Sequence, residues 1–378
     1  MGKRKILLLA GEASGLLYRD RIAAFLGDAE VRGYADYGFR TEDLAVMGFI
    51  PVLRRLFYFL RVKRTLKRAI DTWRPDVVCT IDYPGLNLRL AAYAKSRGIR
   101  TVHVVCPQVW AWKKGRIPKI EAALDRLYCF FPFEPSLFKA GFAKFVGHPL
   151  AAEFAAYATT PAREKGLVAI LPGSRQGEIA RIFPTLIEVM KTLSGRLSRL
   201  PRFVIPAADE AAYQRLTAAL TQAAVPWTAL DAPSLPHMGV AVWRGHAREL
   251  LRCADSAVVA SGTATLEAAL ARCPTVLVYK VSRSLAWFAR RVIKDIHFVG
   301  LANIVWEKCG AQGENPMPEF LQEAFTAEAV IKQLTTWLEN EKDRTAAVAR
   351  LDETMKNLSP GSLGLAEIAQ DLLSNARG

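Results

Sequence analysis

The sequence contains little from which a disulfide framework, a metal centre or a membrane span could be built. Its six cysteines are scattered without a close pair, which argues against disulfides or a metal site and favours reduced thiols in a cytoplasmic compartment. No apolar run approaches the roughly 18 residues of a membrane-spanning helix. The basic start leads into an apolar run of only about five residues, so we expect a first strand there and not a signal peptide.

Acidic residues are also scarce relative to basic ones. The 51 Lys and Arg exceed the 36 Asp and Glu, which gives a formal net charge of +15. Such a balance attracts a polyanion, and the candidates are nucleic acid, an anionic membrane or a phosphorylated ligand. No DNA- or RNA-binding motif accompanies the charge, so we do not expect nucleic acid as a partner.

The composition is that of a globular protein, with 51% hydrophobic and 23% charged residues over 378 residues. Predicted strands alternate with helices throughout, which is typical of an α/β fold with parallel sheets. We expect two Rossmann-like domains whose loops face a common cleft. The first covers 1–160 and the second 161–344, and a C-terminal helix over about 345–378 is expected to pack back on the first.

Two short stretches follow apolar runs and precede helices: Leu171–Glu178 and Ala260–Glu267. Each combines small hydroxyl residues and glycine with a helix N-terminus, where backbone N–H groups and a partial positive charge favour an anion. Neither is a P-loop or a Gly-x-Gly-x-x-Gly motif, and each alone is equally consistent with an ordinary turn. Together they predict a nucleotide diphosphate site formed by Gly173, Ser174, Arg175, Ser261, Gly262, Thr263 and Glu267.

Within this predicted site, Arg175 can grip phosphate oxygens with its guanidinium. Glu267 would repel phosphate but can accept hydrogen bonds from ribose hydroxyls. In the first domain, a strand predicted over Asp76–Ile81 ends at Asp82. A carboxylate at that end of a parallel strand faces the ligand crevice, so Asp82 is a candidate general base, with a loop-fixing role as the alternative.

The basic charge concentrates between Leu53 and Ile70, where no acidic residue occurs. Leu53, Leu56, Phe57 and Leu60 follow helical spacing beside Arg61, Arg64 and Arg68. This pattern favours a helix on an anionic bilayer, and the alternative is a core-facing helix whose basic back is solvated. Trp110 and Trp112, next to further basic residues, suggest a headgroup or acyl-chain contact.

Several longer motifs make the chain resemble the lipid-A-disaccharide synthase family, over nearly its whole length. They are Gly11–Gly15; Leu44–Gly48; Ile81–Pro84 with Asn87; Val109–Trp112 with Arg116, Lys119 and Ile120; Phe130–Glu134; Gly147–Pro149; Leu171–Arg175 with Glu178; and Ser261–Thr263 with Leu266 and Glu267. The family consists of inverting glycosyltransferases with two facing Rossmann-like domains of GT-B type.

The resemblance implies transfer of 2,3-diacylglucosamine from its UDP carrier to the 6-hydroxyl of 2,3-diacylglucosamine 1-phosphate. It implies Asp82 as base, no metal or cofactor, and UDP held by Arg175, Ser261–Thr263 and Glu267. The first-domain loop residues Glu12, Ser14, Gly15 and Asn87 are expected on the acceptor side. The enzyme is expected at the cytoplasmic face of the inner membrane, with its oligomeric state left open.

Three departures from the family pattern lie in the first domain, and one of them is a shortened stretch between the second strand and Leu44. Leu16 stands where family members usually have Asp, and Gly85 replaces the second acid of the Ile-Asp-x-Pro-Asp-Phe-Asn run. They affect the acceptor side more than UDP binding. Two alternatives stay open. One is a UDP-sugar 2-epimerase, which shares the fold and the nucleotide loops but has no use for the basic helix. The other, suggested by Leu16 and Gly85, is a non-catalytic lipid- or polyanion-binding relative.

Overall fold

The computed structural model describes residues 2–40, 56–111, 114–157, 161–196, 200–230, 239–282, 286–287, 297–359 and 364–374. The chain divides into two compact units, Met1–Pro149 with Leu358–Gly378, and Leu150–Asn357. The boundary thus precedes the expected position near residue 160. Of the expected C-terminal helix, only the part from Leu358 belongs to the first unit.

Strands and helices alternate along the described chain. The strands are β1 (Lys5–Ala10), β2 (Glu30–Arg32), β3 (Val77–Ile81), β4 (Arg100–Val104), β5 (Arg126–Cys129), β6 (Ala143–Phe145), β7 (Glu164–Leu171), β8 (Arg202–Ala207), β9 (Trp227–Leu230), β10 (Gly239–Arg244), β11 (Ala254–Ala260), β12 (Thr275–Tyr279) and β13 (Glu319–Leu321). The helices are α1 (Ala13–Ala23), α2 (Leu56–Trp73), α3 (Pro84–Ser96), α4 (Ile117–Ala123), α5 (Pro149–Ala155), α6 (Gln176–Arg196), α7 (Glu210–Gln222), α8 (Ala247–Cys253), α9 (Thr263–Leu270), α10 (Leu301–Lys308), α11 (Ala327–Glu339), α12 (Glu341–Met355) and α13 (Leu365–Leu373).

Among the described residues, each unit contains one parallel sheet. The first has the order β2-β1-β3-β4-β5-β6 and the second β13-β12-β11-β7-β8-β10-β9. The central strands are continuous apolar runs, as expected where helices cover both faces of a sheet. The predicted α/β class with two Rossmann-like domains is confirmed.

The edge strand β2 is short. It ends at Arg32, and Ala35–Tyr37 forms a 3-10 turn. The carboxylate of Asp36 accepts a hydrogen bond from the backbone N–H of Gly33 at 2.7 Å. Asp side chains stabilise turns in this way, so the chain leaves the sheet edge there.

Alternate residues of β1 belong to two different hydrophobic clusters of the first unit. Ile6 and Leu8 pack with residues of α1 and α13, whereas Leu7 and Leu9 pack with residues of α2 and α3. This alternation follows from the period of two in a strand. Helix α13 is fastened through Arg100 of β4, whose Nη2 lies 2.7 Å from Oδ1 of Asp371.

In the second unit, α6 covers the sheet with Ile179, Ile182, Phe183 and Leu186, which recur at helical spacing and are all buried. Burial of each such side chain contributes about 1.5–3 kcal/mol. In the part of the chain that the structure describes, no helix has both the length and the apolar character to cross a bilayer.

Candidate active site

Both predicted glycine loops line one cavity of the second unit, with a volume of about 370 Å³. Its wall contains every residue predicted to bind a nucleotide: Gly173, Ser174, Arg175, Ser261, Gly262, Thr263 and Glu267. The loops meet because β7 and β11 are neighbouring parallel strands, with Leu171 paired to Val259. The cavity therefore lies at the carboxyl ends of the strands, where open α/β sheets bind ligands.

Backbone geometry explains the first loop. Gly173 has φ +101°, and a Cβ at this position would lie 2.7 Å from a carboxylate oxygen of Glu178. Glycine permits this turn, which ends β7 and starts α6 within a few residues. The first N–H groups of a helix have no intrahelical acceptor, and they carry the positive end of its dipole. With α6 and α9 both starting at the cavity, its potential suits a phosphate group.

Arg175 is placed at the rim of this cavity with its side chain 65% exposed. Its Nη1 lies 3.0 Å from Oε1 of Glu178, three residues along the chain. Exposed ion pairs contribute little, about 0–1 kcal/mol, so a phosphate can compete with Glu178 for the guanidinium.

Glu267 lies one turn into α9, and its carboxylate is bonded to Arg248 of α8. Nε of Arg248 donates to Oε1 of Glu267 at 2.8 Å, and Nη1 donates to Oε2 of Glu153 at 2.6 Å. Sequence reasoning missed Arg248 because nothing in its local pattern points to the glycine loops.

Asp82 directly follows β3 in the first unit. Asp82 and Tyr83 both adopt φ +50°, a left-handed conformation that is uncommon outside glycine. The backbone N–H of Tyr83 donates to Oδ1 of Asp82 at 2.8 Å. Burial raises the pKa of the Asp82 carboxyl above its ordinary value, and the hydrogen bond from Tyr83 opposes that shift. A partly desolvated carboxylate of raised pKa has the properties of a general base.

Asn87 lies beneath this loop and is fully buried. Its Nδ2 donates to the carbonyl oxygens of Asp82 at 2.8 Å and Ile81 at 3.2 Å, and its Oδ1 accepts from the hydroxyl of Tyr34 at 2.6 Å. This burial contradicts the expectation that Asn87 contacts the acceptor. Asn87 instead fixes the backbone of the Asp82 loop, and Tyr34, which sequence reasoning missed, fixes Asn87.

The Gly11–Gly15 loop approaches the same place from β1. A Cβ on Gly11 would lie 2.5 Å from Cβ of Tyr83, so the close approach requires glycine. Burial raises the pKa of Tyr83, and the charge of Glu12 adds to that shift. Glu12 therefore lies near the Asp82 loop, while Ser14 and Gly15 form the first turn of α1. Contact of Glu12, Ser14 and Gly15 with an acceptor stays a prediction.

Helix α2 has one exposed face that combines apolar and basic side chains: Phe57, Leu60, Arg61, Arg64 and Arg68, termed here the basic face. Phe57 is 85% and Leu60 50% exposed. The opposite face buries Val62, Leu66 and Ile70 in the core of the first unit. Phe57 and Leu60 therefore do not lie in this core, although the helix packs on it through its other face, and contact of the basic face with a bilayer stays a prediction. Leu53 lies outside the described residues.

Trp110 is only 4% exposed. Its Nε1 donates to Oε1 of Glu134 at 3.1 Å, and its ring packs edge-on against Phe133 with centroids 5.6 Å apart. This burial and the bond to Glu134 argue against contact of the Trp110 indole N–H with a membrane headgroup, and contact with an acyl chain stays a prediction. Trp112 lies outside the described residues.

The fold brings together two cysteines that are distant in sequence. Cys106, Cys129 and Glu134 are buried, with potential metal-ligand atoms within 4.8 Å of one another. Three donors fall short of the four of a closed structural zinc site. Burial raises the pKa of Glu134 to about 8, and its oxygens already accept from Trp110 and the N–H of Phe131. The cluster is accounted for as a hydrogen-bonded part of the core.

Comparison with known proteins gives a consistent result. A family model described as "Lipid-A-disaccharide synthetase" matches residues 35–371. A lipid-A-disaccharide synthase of Chromohalobacter salexigens is 35% identical over 396 residues, which cover 98% of this chain and 97% of that protein. One of Geobacter metallireducens is 34% identical over 387 residues, covering 93% of each.

Solved structures with a similar fold have much lower identity. Acinetobacter baumannii MurG superimposes with a TM-score of 0.57 at 15% identity, covering 98% of this chain and 99% of that one. A UDP-GlcNAc 2-epimerase from Neisseria meningitidis, solved with UDP-GlcNAc, has a TM-score of 0.58 at 11% identity with coverage of 98% and 99%. At such identities the similarity establishes the fold alone.

Proposed function

Because the chain belongs to the lipid-A-disaccharide synthase family, and is therefore a glycosyltransferase, we propose that its two units hold the two substrates of one transfer. The donor is UDP-2,3-diacylglucosamine and the acceptor is 2,3-diacylglucosamine 1-phosphate. The products are a β-1,6-linked disaccharide and UDP. The observation that carries the assignment of the donor is the cavity at the starts of α6 and α9, with Arg175 at its rim.

In the proposed reaction, the 6-hydroxyl oxygen of the acceptor attacks the anomeric carbon of the donor from the face opposite the diphosphate. The new C–O bond forms as the bond from that carbon to the diphosphate oxygen breaks, and the electron pair leaves with UDP. Asp82 accepts the hydroxyl proton as general base. One displacement inverts the anomeric centre.

The departing diphosphate gains negative charge in the transition state. The dipoles of α6 and α9 and the guanidinium of Arg175 are suited to stabilise that charge in the second unit. Glu267 is suited to accept hydrogen bonds from the ribose hydroxyls, as an acidic residue does in other Rossmann-like domains. Gly173, Ser174 and Ser261–Thr263 allow the backbone to approach the phosphates closely.

We also propose that the basic face holds the enzyme at the cytoplasmic surface of the inner membrane. Phe57 and Leu60 can enter the interfacial region while Arg61, Arg64 and Arg68 meet anionic headgroups. Peripheral binding of this kind would bring the active site to substrates whose acyl chains keep them in the bilayer.

The function is tested by incubating the full chain with both lipid substrates and measuring UDP and disaccharide together. Equal amounts are expected, and neither is expected when the acceptor is omitted. An epimerase would convert the UDP-sugar without forming a disaccharide, and a non-catalytic relative would bind UDP without turnover. Either result would contradict the proposal.

A further inference from the structure

Arg248 connects the nucleotide cavity to two nearly buried carboxylates. The side chains of Glu153 and Glu267 are each 15% exposed, and that of Arg248 is 33% exposed. Its Nε and Nη1 are bonded to different glutamates, at 2.8 and 2.6 Å. The planar guanidinium is therefore held from two sides, which restricts its orientation.

Charge explains why this arrangement depends on an arginine. Burial lowers the pKa of Arg248, but hydrogen bonds to Glu267 and Glu153 outweigh that effect and raise it. Arg248 thus stays cationic beside two carboxylates. Without the guanidinium, two acidic groups of low exposure would lose their shared counter-charge, and Glu267 would be expected to rotate toward solvent or take up a proton.

The position of Glu267 shows which ligand contact would depend on its bond to Arg248. Glu267 lines the cavity together with Gly262 and Thr263 at the start of α9. A carboxylate has about four acceptor positions, so the bond to Arg248 leaves capacity for ribose hydroxyls. The strength of a hydrogen bond to a carboxylate depends on how the carboxylate is oriented toward the donor. Recognition of the ribose hydroxyls therefore requires a fixed rotamer of Glu267.

We propose that Arg248 is a positioning residue for ribose recognition: it holds the Glu267 carboxylate in the orientation that accepts from the ribose hydroxyls of a uridine nucleotide. Glu153 in turn holds Arg248. The inference rests on the proposed function, in which Glu267 is the ribose-binding residue. Arg248 acts through Glu267 and not on the diphosphate, since its Nε and Nη1 are bonded to carboxylates and the described cavity wall contains Glu267 but not Arg248.

The experiment is calorimetric titration of the full chain with UDP and with 2′-deoxy-UDP. The wild type should bind UDP about tenfold to hundredfold more tightly, the contribution of one hydrogen bond to a charged group. Glu267→Ala and Arg248→Ala should each remove most of this preference. Arg248→Lys should restore part of it, because an ammonium group can still neutralise one carboxylate.

Arg272→Ala is the matched control. Arg272 follows α9 and pairs through two nitrogens with the single carboxylate of Asp352, at 2.7 and 2.8 Å, so it is an arginine ion pair outside the cavity. This variant should keep the full preference for UDP. If Arg248→Ala does not fold, Arg248→Lys and Glu153→Gln test the inference in its place. Both should lower the preference for UDP over 2′-deoxy-UDP below that of the wild type.

The outcomes separate the inference from the proposed function. If Glu267→Ala loses the preference while the Arg248 variants keep it, Arg248 has no positioning role and the nucleotide assignment stands. If Arg248→Ala binds both nucleotides more weakly by the same factor, Arg248 contacts the phosphates, which also overturns the inference. If the wild type binds both nucleotides equally, or binds neither, the assignment of Glu267 fails and the inference fails with it.

Discussion

Replacing Asp82 with Asn is the most direct test of the mechanism. The change removes the charge but keeps the shape and an oxygen that can accept the 2.8 Å hydrogen bond from the N–H of Tyr83. Asn also tolerates left-handed backbone better than most residues, so the φ of +50° at this position is retained. The variant should therefore fold with the loop unchanged.

Loss of a general base lowers the rate by about 10²–10⁴-fold, which corresponds to about 3–5 kcal/mol in the activation barrier. UDP affinity should stay near that of the wild type, since the nucleotide cavity is lined by the second unit. The assay is UDP release with both lipid substrates, combined with calorimetric titration of UDP.

The pH dependence has a defined sign. Because burial raises the pKa of Asp82, kcat/KM of the wild type should rise with pH through a value above the ordinary Asp pKa of about 3.9. The folded state holds the proton more tightly than the unfolded state. The wild type therefore loses stability relative to Asp82→Asn as pH rises from the ordinary to the raised pKa, and the variant should be at least as stable at neutral pH.

Asp76→Asn is the matched control, because Asp76 lies just before the other end of β3 and likewise accepts a backbone hydrogen bond, from Lys5 at 2.8 Å. It should retain wild-type turnover. An Asp82→Asn enzyme within about fivefold of the wild-type rate would refute the base assignment, given the 10²–10⁴-fold scale of such catalysis.

Three further predictions concern other parts of the molecule. Arg175→Ala should weaken UDP binding about tenfold to hundredfold in calorimetry, as expected for loss of a hydrogen bond from a charged group. Arg196→Ala, at the far end of α6, is the control and should not weaken UDP binding. Unchanged UDP affinity in Arg175→Ala would exclude the phosphate role. Tyr34→Phe leaves the buried Oδ1 of Asn87 without its 2.6 Å donor, so the free energy of unfolding in urea should fall by about 1–3 kcal/mol. The value of kcat should also fall, without a change in UDP affinity. An unaffected kcat would show that the hydrogen bond between Tyr34 and Asn87 does not influence catalysis. Replacing the three arginines of the basic face by Glu should abolish co-sedimentation with anionic vesicles, since each basic residue near the membrane surface contributes about 1 kcal/mol. Weak binding to neutral vesicles is the control and should not change. Sedimentation of the variant with anionic vesicles would contradict the interfacial role.

The glycine loops were predictable because their chemistry is local. A strand end, a residue with positive φ and a helix start follow one another within a few positions, as at Gly173 and Gly262. Once β7 and β11 are parallel neighbours, both loops must lie at the same sheet edge. Asp82 was predictable for the same reason, since it directly follows β3.

The partners of these residues could not be predicted, because they depend on contacts between distant segments. Tyr34 and Asn87 are 53 residues apart, and Glu153 and Arg248 are 95 apart. No periodicity in the sequence encodes which buried polar groups will meet. The bond from Trp110 to Glu134 was missed for the same reason, because these two residues lie 24 positions apart.

The loop at Asp82 illustrates how distant contacts determine a local geometry. Two consecutive residues other than glycine at φ +50° are unfavourable by about 1–3 kcal/mol each. Asn87 offsets the cost with hydrogen bonds to the carbonyl groups of Ile81 and Asp82, and Gly11 leaves room for Tyr83. The orientation of the proposed base is therefore a property of three chain segments together. For this reason a substitution at Tyr34 or Asn87, neither of which is proposed to touch substrate, is expected to reach the chemistry.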